Sequence, residues 1–76
     1  MQQLTNLGFS QVDDDNWTYM STSRSLNIQD NNNGTYTSVL TMFMPLSEPL
    51  QFTIVFDRFS DMLNDAKEYM ERYSVN

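Results

Sequence analysis

The chain has no cysteine and no histidine among its 76 residues, and only four basic side chains. Without cysteine there is no thiolate nucleophile, no disulfide framework and no thiolate-ligated zinc. Without histidine there is no imidazole to shuttle protons near neutrality or to hold haem. Two glycines and two prolines leave no flexible linker to divide the chain. No apolar run approaches the roughly 18 residues of a membrane span. Met1 to Asn6 carries neither a basic segment nor an apolar stretch, so nothing there looks like a secretory signal, and a cytoplasmic protein is the expectation. A chain this short accommodates one domain, residues 1–76, and an apolar content of 39% gives it a small core.

Ten acidic residues against four basic ones set the net charge at -6. Such a field repels phosphate backbones and anionic lipid headgroups, which argues against direct nucleic-acid binding and against membrane association. It favours encounter with a basic protein, although solubility alone also selects for acidic charge. The sequons at Asn16-Trp17-Thr18 and Asn33-Gly34-Thr35 would matter only in a secretory compartment.

Local patterns place the elements. Gln2 to Leu7 suits a short helix that Gly8 ends in the left-handed conformation. Phe9 to Val12 reads as a short strand running into Asp13, Asp14, Asp15 and Asn16, residues whose side chains bond their own backbone in turns. Trp17 to Met20 and Ser25 to Gln29 are strand-like, and the weakly committed Ser21 to Arg24 leaves open one bent strand or two. Asp30 to Gly34 marks a second hairpin, since Asn and Gly accept positive φ cheaply. Thr35 to Met44 alternates, with Tyr36, Leu40, Met42 and Met44 on one face and Val39 and Phe43 on the other. Pro45 and Pro49 bracket a connection, and Leu50 to Phe56 then forms the best strand, expected to be central or well covered.

From Asp57 the apolar period becomes 3.6, with Phe59, Met62, Leu63, Ala66, Tyr69, Met70 and Tyr73 at helical spacing and Asp57 placed to cap. The expectation is an α+β fold: an antiparallel meander of four to five strands, the C-terminal amphipathic helix packed on one face, and a short N-terminal helix.

Candidate chemistry is thin. Asp13, Asp14 and Asp15 are consecutive and do not converge on one cation, and Asp30 to Gly34 lacks the ligand spacing of a calcium loop. Lys67, the single lysine, sits on the polar side of the helix as a partner of Glu71. Trp17, Tyr19 and Tyr36 would suit a base-stacking platform only with cations beside them, and Arg24 alone is near, so packing is the better reading. The reading is therefore non-enzymatic, with no cofactor and no metal.

Two features point to a binding surface instead. Asp57, Asp61 and Asp65 follow at i, i+4, i+8 with Glu68 one step further, a stripe of acids about 6 Å apart on successive turns. Its bland explanation is a solvated helix face. Its functional one is an imitation of a phosphate row for a basic groove. Secondly, one helix covers one side of a sheet, so the face bearing Tyr36, Leu40, Met42 and Met44 is expected to leave apolar area uncovered, for a partner or a second copy of the chain. The competing expectation is that the N-terminal segment folds back over it.

Leu7-Gly8-Phe9 with Asp13 to Tyr19, and the helical run Phe56 to Tyr69, resemble small acidic proteins of bacteriophages and other mobile elements, in the style of anti-CRISPR and anti-restriction inhibitors. The resemblance implies a protein that blocks a host nuclease or effector by binding it in the host cytoplasm. The leading expectation is thus an inhibitor of a basic nucleic-acid-handling protein. The alternative is a self-associating assembly protein, for instance a homodimer, that uses the sheet face.

Overall fold

The computed structural model describes residues 1–73. The order is α1 (Gln2–Leu7), β1 (Ser10–Asp13), β2 (Asn16–Met20), β3 (Arg24–Asp30), β4 (Tyr36–Met42), β5 (Leu50–Phe56) and α2 (Phe59–Tyr73). The strands form one antiparallel meander in the order β1-β2-β3-β4-β5, and the fold is the expected α+β class.

Local chemistry explains the turns. Gly8, at φ 110°, lets its own N–H and that of Phe9 close α1 on the Thr5 and Leu4 carbonyls, each at 3.0 Å. A Cβ there would also stand 3.3 Å from the Met70 methyl, so the position needs glycine twice over. In the first hairpin the Asp13 carboxylate accepts from the Asp15 N–H and the Asn16 amide, both at 2.9 Å. Those bonds, the Asn16 one foremost, hold its pKa below the usual carboxylate value. Ser21 to Arg24 proves to be a turn between two strands, closed by Ser21 N–H on the Arg24 carbonyl at 2.9 Å. In the next hairpin Asn32, at φ 61°, donates its N–H to the Asp30 carboxylate at 2.8 Å.

Register fixes the two faces. Trp17, Ile28, Ser38 and Ile54 lie in one cross-strand row, and Tyr19, Leu26, Leu40 and Phe52 in the next, all turned to the helices. The opposite face carries Thr18, Asn27, Val39 and Thr53 in one row and Ser25, Thr41 and Gln51 in another. It is a mixed surface, with the exposed Met20 and Val55 among polar groups that bond one another, such as Thr18 to Asn27 at 2.6 Å and Gln51 to Thr41 at 3.3 Å.

Two expectations are corrected here. The named residues are not on the far side of the sheet: Tyr36, Leu40 and Met42 share the helix side, Met44 lies beyond the end of β4 and is exposed, and the exposed apolar residues of the far side are Met20 and Val55 instead. Nor does the N-terminal segment fold over that far side, since α1 packs beside α2, with Leu4 and Met62 in one core. That core is Leu4, Phe9, Trp17, Leu26, Ile28, Met62, Ala66, Tyr69 and Met70.

The expectation for β5 is overturned as well. A meander leaves its last strand with a single neighbour, and every β5 residue is exposed except the half-buried Phe56. The dimensions give the reason. Strands stand about 4.8 Å apart and a helix is about 10 Å across, so two helices side by side are narrower than a five-stranded sheet, and the residues of β1 at the other edge are exposed as well.

Candidate apolar cleft between β5 and the C-terminal helix

The course of α2 creates the site. Its first helical bond runs from Met62 N–H to the Arg58 carbonyl at 3.2 Å, which makes Arg58 the cap and puts Asp57, the expected cap, one residue ahead of it. The helix starts over β4, with Phe59 edge-on to Tyr36 at 5.7 Å between ring centres. It then crosses the sheet until Tyr69 meets Tyr19 of β2 at 6.4 Å and Tyr73 lies under the Arg24 guanidinium of β3 at 4.1 Å. Moving away from β5 as it goes, α2 leaves a wedge-shaped cleft.

The cleft holds about 180 Å³, between a floor of Leu26, Ser38 and Leu40, a strand wall of Phe52 and Ile54, and a helix wall that includes Tyr69 and Tyr73. Phe52 and Ile54 are 52% and 49% exposed, although they belong to the same rows as the buried Leu26 and Ile28. A cavity of about 150 Å³ holds a benzene ring, so one aromatic or aliphatic side chain fits here. Asp65, Glu68 and Arg72 line the helix side.

The polar groups in this wall are imperfectly served. Burial, and then repulsion from Glu68, raises the Asp65 pKa above the ordinary aspartate value. Burial likewise raises the Tyr69 phenol, with Arg24 opposing, and the Tyr69 hydroxyl is buried without a hydrogen-bond partner among the described residues.

The acids expected to form a stripe divide into two places. Asp65, half-buried, and Glu68, exposed, stand at the cleft. Asp61 is exposed in the first turn of α2, and Asp57 precedes the helix altogether. Of the sheet-face residues, Leu40 lines the cleft, Tyr36 packs on Phe59, Met42 is half-buried opposite Leu50, and Met44 stands apart in the β4–β5 connection. Sequence pattern places Phe52 and Ile54 in a strand and Tyr69 and Tyr73 on the apolar helix face without assigning them to a site, yet a signal existed: the run Leu50 to Phe56 carries no charge, and a meander makes its last strand an edge.

Among the described residues no helix is long and apolar enough to cross a membrane, and no three His, Cys, Asp or Glu side chains are grouped to hold a metal ion. No protein-family model, curated protein or solved structure matches the chain.

Proposed function

We infer that this chain is a non-enzymatic protein-binding domain whose contact centre is the β5–α2 cleft, and that it inhibits a basic, nucleic-acid-handling protein by occupying it. The observation that carries this reading is the pairing of half-exposed Phe52 and Ile54 with a partly desolvated acid, Asp65, across one cleft. The apolar wall takes an anchoring side chain, and anchors in desolvated pockets carry most of the energy of protein interfaces. An arriving lysine or arginine relieves the Asp65–Glu68 repulsion, which selects a basic partner. The net charge of -6 speeds that encounter. Phosphate-binding grooves combine cations with apolar and aromatic surface, so they are the partner class that fits. This agrees with the resemblance to phage-borne inhibitors of host nucleases and effectors.

The test is capture from bacterial extract with the wild type, Asp65→Asn/Glu68→Gln and Ile54→Lys, followed by mass identification and assay of the captured protein's nucleic-acid binding. The wild type is expected to retain a basic protein, to release it as salt rises and to block its nucleic acid. The acid pair costs about 10-fold in affinity and Ile54→Lys abolishes capture. Equal capture by all three, or a partner that still holds its nucleic acid, overturns the reading.

A further inference from the structure

The backbone edge of β5 points along the plane of the sheet whereas the cleft opens on its helix side, and the side chains of Phe52 and Ile54 belong to both surfaces. Natural sheets blunt their edges with charge, proline, bulges or short strands. β1, the other edge, is short at four residues, irregular between Gln11 and Asp13, and joined to an acidic turn. β5 uses none of these devices. It is seven residues long, in unbroken register with β4, and without charge or proline from Leu50 to Phe56.

We propose that β5 pairs antiparallel with β5 of a second copy of this chain, on a two-fold axis at Thr53, to make one continuous ten-stranded sheet. The sequence of the strand is complementary to itself in that register. With Thr53 facing Thr53 of the partner subunit, Phe52 faces Ile54 of the partner subunit and Leu50 faces Phe56 of the partner subunit, apolar against apolar on the helix side. Gln51 faces Val55 of the partner subunit on the polar side, which gives the 59%-exposed Val55 a neighbour. Beyond the strand ends the same register brings the Glu48 end of one copy to the Arg58 end of the other, twice over. Asp57 stands beside Arg58 at that end, so the flank that meets Glu48 carries both signs. A strand without charge that sets apolar against apolar in this register suits a second copy better than the basic partner of the cleft.

An axis perpendicular to the sheet keeps both α2 helices on one side. The two clefts then flank one apolar seam, open to the same side, so dimerisation and cleft binding are compatible. Phe52 and Ile54 serve both surfaces, so variants at other residues tell the two proposals apart.

Sedimentation across about 1–500 µM reads the association, and a cysteine-free chain allows a clean cross-link. Thr53→Cys is expected to give a disulfide-linked dimer under mild oxidation, because facing residues in antiparallel strands lie about 4.5–5.5 Å apart between Cα atoms, within disulfide reach. Thr18→Cys, on the same face of β2, is expected to give none. Glu48→Arg weakens the dimer about 10-fold, and Glu48→Arg/Arg58→Glu restores it. Within one copy those residues cannot meet, since β5 alone separates them by about 20 Å, so rescue reports the contact between copies. Asp65→Asn/Glu68→Gln leaves the dimer unchanged, which separates this result from failure of the cleft reading. A monomer at every concentration, equal cross-linking at both cysteine positions, or charge reversal without rescue overturns the proposal.

Discussion

The two edges of this sheet face the same hazard and meet it differently. At the β1 edge the strand is four residues long, an irregularity breaks its register, and three consecutive aspartates run from its last residue into the turn. α1 packs on β1, with Leu4 and Phe9 in the core. At the β5 edge seven regular residues present Phe52 and Ile54 half-exposed, beside a helix that has already turned away. The residues of both edge strands are exposed, but an edge that is short, irregular and charged resists pairing, whereas one left long, regular and neutral is a surface for contact. The difference sets the β5 end apart as the one with a long, uncharged strand and apolar surface open to contact.

The sharpest way to break that contrast is paired truncation. Leu4→Ala, at a fully buried site, is expected to cost about 2–5 kcal/mol, and Ile54→Ala in dilute monomer less than about 1 kcal/mol, read from urea midpoints. Equal losses would mean that β5 is as well covered as the β1 end.

Next in size is Gly8→Ala, which forces a side chain into left-handed backbone and towards Met70. A loss of about 1–2 kcal/mol is expected in the same assay, and an unchanged midpoint would show that α1 does not hold the closed end in place.

The smallest effects are titrations of opposite sign. Asp13, at the closed edge, has its pKa lowered by the Asn16 and Asp15 bonds. Its ionised form therefore stabilises the fold above the unfolded value of 3.8, and that gain is lost as pH falls through the lower folded value. Asp65, at the open end, has its pKa raised by burial. Its neutral form is the favoured one, present at low pH, and stability declines as pH rises through the raised folded value. Thermal melts from about pH 7 down to about pH 3 should show Asp13→Asn less stable than wild type at neutrality and Asp65→Asn more stable, with both differences closing in acid. Shifts of the same sign would remove the electrostatic distinction between the ends.

Much of the fold was legible because its signals are local. Asn16 bonding Asp13, Asn32 at positive φ and Gly8 closing α1 are chemistry among neighbours, which is why hairpins and helix ends fell within a residue or two of expectation. Alternation in Leu50 to Phe56 announced a strand but not its place, since a pattern with apolar residues on both faces reads as buried whether or not anything covers it. The acidic stripe was less legible. Helical spacing links Asp61, Asp65 and Glu68, but it extends to Asp57 only if the helix begins there, and the cap falls on Arg58.

Composition and periodicity alone settled that this is one small acidic α+β unit, without the cysteine and histidine chemistry that most active sites draw on, because these are properties of residues and near neighbours. Which strand lies bare, which acid is half-buried and where a cleft opens depend on the diagonal that α2 takes from Tyr36 to Arg24. That diagonal is set by long-range packing of Tyr69 on Tyr19 and of Met70 against Gly8, contacts between residues some fifty to sixty apart that no local pattern encodes.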